Sequence, residues 1–247
     1  MIYVQMNDPD TDRGVAAFQS TLWTLVLRAK NPTEEDRRRA LDELISIYWK
    51  PAYFFLRRRG LDIETAKDVA QGFFTAFLEK NFLRTVEREK GRFRTFLLAC
   101  LEHHLSDVRD RERAQKRGGG RRTMSLDFIA AEREMPADPN AGPPEAVFDR
   151  AWAVTLLGRA LGLLRKEFAR DGKKKLFDAL KAHVARDADT PYTEAAEDLG
   201  MTEAAVRVAV HRARKRYGEL VRAEVRRTVE SDEAVEAEIG ALLEVLK

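Results

Sequence analysis

Apolar residues recur three and four positions apart along almost the whole chain, the spacing that lines up one face of an α-helix. No run of alternating β-branched residues competes with that pattern, so the reading is all-α. A first helix is expected over about Val15–Ala29, with Phe18, Leu22, Leu25 and Val26 on one face, ended by Asn31-Pro32. A second runs through Leu41, Leu44, Ile45 and Tyr48, is kinked or interrupted by Pro51, and stops at Gly60. A third covers about Ile63–Lys80 and a fourth about Phe93–Arg117.

Gly118, Gly119 and Gly120 then end regular structure, and the composition shifts to Gly, Pro, Ala and charge, including MPADPNAGPP. That shift predicts two small helical domains, residues 1–117 and 145–228, joined by a flexible linker at 118–144. Residues 229–247 form a separate C-terminal extension. There Val235, Ile239, Leu242, Leu243 and Leu246 make an amphipathic, acidic helix. It is expected to pack on its own domain, to recruit a regulator, or to shield the basic recognition surface.

With 44 Lys and Arg against 41 Asp and Glu, the net charge is +3, too small to indicate a nucleic-acid partner by itself. Its distribution is more informative. Basic residues gather at 109–122 and again at 201–227, and the sign reverses after Thr228. The single cysteine, Cys100, excludes an internal disulfide and lacks the companions of a zinc ligand set. No stretch of 18 apolar residues occurs, and the first residues lack a basic segment followed by an apolar one. The expectation is a cytoplasmic protein without a membrane anchor.

The segment TPYTEAAEDLGMTEAAVRVAVHRARKRYGEL is the most specific local signal. Pro191 suits a first turn, Ala196 is small where two helices would cross, Gly200 permits a sharp turn, and Thr202 caps a second helix. On that helix Val206, Val210, Ala213 and Tyr217 make one packed stripe, and Arg207, His211, Arg212, Arg214 and Lys215 occupy the other faces. A recognition helix needs this division, a stripe that seats it and long donors that reach base edges and phosphates. Thr202, Arg207, Val208, His211, Arg212, Arg214 and Lys215 are therefore the candidate DNA-binding residues. Lys215 and Arg216 are the candidates for phosphate.

The string YTEAAEDLGMTEAAVRVAVHRARKRY resembles the fourth domain of the extracytoplasmic-function (ECF) subfamily of sigma-70 type RNA polymerase sigma factors. Upstream, TAKDVAQGFFTAFLEK resembles the domain 2 helix that docks on the β′ clamp helices of core polymerase, and FRTFLLACLEHHLSDVRDRERAQKR the segment that binds and opens the minus-ten element. The resemblance implies a sigma factor without enzymatic activity or cofactor of its own. It would bind core polymerase, including the β flap, and promoter DNA at the minus-thirty-five and minus-ten elements. It implies core-polymerase contacts at Asp68, Gln71, Phe74, Phe77 and Leu78, and minus-ten contacts at Arg92, Phe93, Arg94, Phe96, His103, Arg109 and Arg113. His103 stands where many members carry asparagine. Lys67 and Gly72 replace residues that are often acidic, so phosphorylation of Thr65 or Thr75 by a Ser/Thr kinase would restore negative charge there. An anti-sigma factor is a further possible regulator.

Two other readings compete. A conventional helix-turn-helix repressor or activator would bind a duplex palindrome without core polymerase. An enzyme would need more than His103 and Asp107, which share one helix face at a spacing compatible with metal ligation but have no third ligand motif.

Overall fold

The computed structural model describes residues 34–79, 93–114, 126–135, 142–185, 191–229 and 232–246. The expected first helix at 15–29 lies outside them. Among the described residues there are nine α-helices and no strand. In chain order these are α1 Glu34–Arg58, α2 Ile63–Glu79, α3 Phe93–Ala114, α4 Phe128–Glu134, α5 Pro144–Arg170, α6 Lys174–Ala185, α7 Tyr192–Leu199, α8 Glu203–Arg226 and α9 Asp232–Glu244. The all-α reading holds.

Local rules explain most of the boundaries. α1 ends at Gly60, whose φ of 87° is open to glycine and strained for other residues. Asp62 opens α2, its carboxylate accepting the Thr65 N–H (3.0 Å) and the Thr65 hydroxyl (2.7 Å). Pro51 does not interrupt α1, which is helical from end to end. A proline forfeits one backbone bond, and here the burial of its neighbours Tyr48, Ala52, Tyr53 and Phe55 outweighs that loss.

Two cores form. The first gathers α1, α2 and α3 with Phe128 and Ala131 of α4, and takes in Val147, Phe148, Trp152, Ala153 and Leu156 from the first half of α5. The second joins Ala160 and Leu164 from the other half of α5 to Phe177, Leu180 and Val184 of α6, Ala195 and Ala196 of α7, and Val206, Val210, Ala213 and Leu220 of α8. α5 is thus one rod of 27 residues, about 40 Å long, with an end in each core. α8 repeats the arrangement in reverse, with Val210 in the second core and Val225 in the first.

The boundary expected at 118–144 differs here in two ways. Within that segment α4 is capped by Asp127, whose side chain accepts from Ala130 N (3.0 Å), and it buries Phe128 against Trp49 and Tyr53. Glu132 holds it in place, accepting from Tyr53 Oη (2.6 Å) and Arg57 Nε (2.8 Å). Pro144, read as linker, sits in the first turn of α5, where a missing N–H costs nothing. The second difference is that the cores meet inside α5 and not in a tether.

A charged cluster ties the halves together. Arg159 on α5 donates to Glu224 of α8 (Nε to Oε2, 2.7 Å), to Glu43 of α1 (Nη2 to Oε1, 2.9 Å) and to Ser46 Oγ (3.0 Å). Arg227 pairs with the same two glutamates. Glu224 is buried, and an unpaired carboxylate there would keep its desolvation penalty. Arg159→Met is expected to lower unfolding stability by on the order of 2–3 kcal/mol, the scale of hydrogen bonds to charged groups, read from urea denaturation midpoints.

The acidic extension packs on the first core, through Val235 and Leu242 of α9. Its Glu238, 2 % exposed, faces Arg94 of α3 at 3.3 Å. Arg222 and Arg226 of α8 pair with Glu236 and Asp232. Of the three roles expected for this helix its contacts display packing, though against the first core and the end of α8 and not in the second core.

Acid sensitivity follows from a bridge between α5 and α8. Arg216 donates to both oxygens of Glu167 (2.7 and 2.9 Å), which lowers the Glu167 pKa. A carboxylate depressed by folding stabilises above its unfolded pKa, and that contribution disappears as pH falls through the lower folded value. Glu167→Gln should therefore flatten the loss of thermal stability below about pH 4, measured by melting curves at stepped pH.

Candidate nucleic-acid interface

α7 and α8 are held in a helix-turn-helix by Gly200. Its left-handed conformation (φ 61°, ψ 36°) lets Met201 N–H reach Ala196 O (2.9 Å) and Gly200 N–H reach Glu197 O (3.1 Å), closing α7. Thr202 then starts α8, its hydroxyl accepting from Ala205 N (3.2 Å). Pro191 is the residue at the head of α7 and contributes no side-chain cap. α8 runs on past Tyr217 to Arg226, because Leu220 and Val225 continue its buried stripe.

The turn and the stripe determine what α8 presents. Val206, Val210 and Ala213 are buried. At 100° per residue, Arg207, Val208, His211, Arg212 and Lys215 then share an outward arc of roughly 140°, and all five are exposed. Val208, 50 % exposed, has an apolar side chain suited to a thymine methyl, flanked by donors suited to guanine edges and phosphates. The Arg207 guanidinium lies 5.7 Å from the centre of the Tyr192 ring, which is itself 4.9 Å from the ring of buried His183. Tyr192 and His183 thus lie in series beneath Arg207, an arrangement the sequence pattern did not single out. The only hint was an aromatic residue next to Pro191.

Other expected residues belong to different tasks. Thr202 serves the helix start. Arg214, though exposed, donates through Nε to His183 O (2.8 Å) at the edge of the buried stripe. Arg216 is engaged by Glu167 and Glu219, which raises its pKa, whereas Lys215 is exposed.

In the first core the corrections are larger. Phe74 and Phe77, expected to face a partner, are buried with Val69 and Phe73; the α2 stripe they belong to is core. Asp68 is exposed and Gln71 half-buried. The side chain of Leu78 lies outside the described residues. Phe93 is fully buried beside Tyr48, their ring centres 5.3 Å apart. Arg94, 6 % exposed, sits 4.5 Å over the Trp152 ring and faces Glu238 and Asp149. These neighbours make it an internal cation, not a strand-tracking one.

Phe96 is half-buried and His103 and Arg109 are exposed. Arg92 and the side chain of Arg113 lie outside the described residues. Phe96, His103, His104 and Asp107 line a cavity of about 260 Å³ with Phe73 and Cys100, between α2 and α3. His103 Nε2 is 3.9 Å from Asp107 Oδ1. Among the described residues no group of three His, Cys, Asp or Glu side chains is placed to hold a metal ion. Burial raises the Cys100 thiol to about 11, leaving it protonated and unreactive near neutral pH. Thr65 is committed to Asp62, and Lys67 to Glu64 at 2.7 Å; Thr75 is half-buried. No described helix is long and apolar enough to cross a membrane.

Residues 185–216 match the family model for Sigma-70, region 4. The match takes in α7, the Gly200 turn and α8 as far as Arg216, and it supports a sigma-70 type factor in which these helices bind DNA. The chain has no significant match among curated proteins or solved structures.

Substitutions on the outward arc should separate base reading from positioning. Against duplexes selected from a random pool, Arg207→Ala or Arg212→Ala should cost roughly 1–3 kcal/mol and relax base choice. Lys215→Ala should weaken all sequences alike and reduce the salt slope by about one. Competition binding at several salt concentrations distinguishes the two patterns.

Proposed function

We propose that this protein is a bacterial RNA polymerase sigma factor of the ECF type, which directs core polymerase to its promoters. The observation that carries the proposal is the Sigma-70 region 4 match over 185–216, coincident with a helix-turn-helix whose Arg207, Val208, His211, Arg212 and Lys215 are all exposed. In this reading α8 enters the major groove of the minus-thirty-five element, with Arg207 and Arg212 at base edges, Val208 at a methyl group and Lys215 at a phosphate.

The first core would supply the polymerase and minus-ten contacts. On α2 the polar contact to the β′ clamp helices falls to Asp68 and Gln71, and the apolar part that Phe74 and Phe77 were expected to provide must come from elsewhere. On α3 the exposed side offers His103 and Arg109, with Phe96 at the rim. An aromatic edge and an imidazole can stack on an unpaired base while a guanidinium follows the strand. The second module would also touch the β flap. Transcription chemistry stays with polymerase, and this chain contributes location and strand opening. An anti-sigma factor or a kinase acting on Thr65 or Thr75 would be an added layer. A phosphate on Thr65 would remove the hydroxyl donor from Asp62 and set two negative groups together, altering the start of α2.

Reconstitution with bacterial core polymerase tests the reading. Co-purification with core and initiation from a selected promoter are expected, and Asp68→Lys should lower core binding at least tenfold without changing duplex binding by α8. Failure to bind core, with tight binding to a duplex palindrome, would replace this reading with that of a conventional regulator.

A further inference from the structure

The candidate base readers on α8 are not held alike. At 100° per residue, Arg207 and Arg212 stand at opposite edges of the outward arc, with Val208 and Lys215 between them. All four are exposed. The Arg207 guanidinium carbon is 5.7 Å from the centre of the Tyr192 ring, within the range of a cation–π contact. Among the described residues no ring stands against Arg212.

The Tyr192 ring is itself held in place. It opens α7 directly after Pro191 and is half-buried. His183, 3 % exposed near the end of α6, sets its imidazole 4.9 Å from that ring at an angle of 39°. Next along α7 the Thr193 hydroxyl donates to Glu203 Oε1 (3.0 Å), tying the first turn of α7 to the first turn of α8. The backbone oxygen of His183 accepts from Arg214 Nε (2.8 Å), and Arg214 lies two turns beyond Arg207 on the same side of α8. One buried residue of α6 thus anchors the edge of α8 that carries Arg207, directly through its carbonyl and through Tyr192 by its ring.

A ring beneath a guanidinium constrains it differently from an ion pair. A carboxylate takes up the N–H edge, as Glu167 does on Arg216. A ring engages the face and leaves the edge open. That edge is what bonds O6 and N7 of guanine, two acceptors in one plane. A guanidinium whose plane is set before binding loses less side-chain freedom on meeting them. It also meets any other pattern of donors and acceptors in the wrong orientation, which sharpens its choice of base.

We propose that Tyr192, backed by His183, is a positioning residue that presents the Arg207 guanidinium edge-on to a guanine, making Arg207 the stringent reader of the duplex and Arg212 the tolerant one. The proposal rests on the reading of α8 as the helix that enters the major groove.

Tyr192→Leu keeps apolar bulk against His183 and removes the aromatic face, whereas Tyr192→Phe keeps both. Duplexes selected from a random pool by the unsubstituted full chain define the base pair at which Arg207→Ala relaxes choice. There Tyr192→Leu should lower the preference for guanine by about two- to fivefold, the scale of an exposed cation–π contact, and Tyr192→Phe should retain it. The base pair that Arg212→Ala relaxes should be unaffected, and Tyr192→Leu should change nothing in an Arg207→Ala background. Weakening at every base pair alike, or an effect that persists without Arg207, overturns the proposal and leaves the groove-reading role of α8 standing. An Arg207→Ala variant that relaxes no base pair removes Arg207 from base reading, and the proposal falls with it. NMR relaxation of the arginine Nε–H groups in the DNA-free chain needs no substitution. Arg207 should show a higher order parameter than Arg212, and equal values overturn the proposal.

Discussion

Everything in this molecule hangs on α5 and on the cluster Arg159, Arg227, Glu43 and Glu224 that fixes its middle. A helix crossing from one core to another has to stay straight and aligned where the apolar contacts of each core run out. Here that join is polar. Arg159 reaches α1 and α8 together, and Arg227 closes the cluster from the far side. Apolar residues could hold the same join more strongly, since burying charge carries a desolvation cost. What charges add is direction, because a guanidinium bonded to two carboxylates has few acceptable orientations.

Much of this was legible in the sequence, for reasons that differ from element to element. The helical class came from spacing alone. The helix-turn-helix was readable because a capping threonine, a left-handed glycine and a buried stripe all fall within residues 195–213, and each acts over one or two turns. The segment 118–144 misled because composition stands in for structure only when nothing distant intervenes. Its Phe128 is held by Trp49 and Tyr53, and its Glu132 by Arg57, partners far away along the chain. The span of α5 was hidden for the same reason: AWAVTLLGRALGLL is apolar on more than one side, and only the fold tells which side meets which core.

The site residues divide along the same line. Residues whose task depends on their own helix, such as Arg207, Val208 and Arg212, are exposed as expected. Those carried over from a resemblance fared worse in the first core, where Phe74, Phe77 and Phe93 are buried. An aromatic side chain on an amphipathic helix serves packing and recognition with the same atoms, and its spacing does not distinguish them. Arg94 is the sharper case. A basic residue near a helix start looks available to an anion until a distant element, Glu238 of α9, is found against it. Conversely, the placing of Tyr192 and His183 beneath Arg207 is visible only in the geometry, since a ring beneath a guanidinium leaves no periodic trace.

The length of α8 has a mechanical consequence. Its first turns present the outward arc, and its last residues are fastened in the first core by Val225 and, just beyond, Val229. The same rigid rod is thus handle and tip. In the proposed role, a tip seated in a groove would pass its angle along α8 to the first core that holds the far end of the helix. Fit to DNA and fit to a partner of the first core would then become one steric problem, solved by orientation and not by slack in a tether.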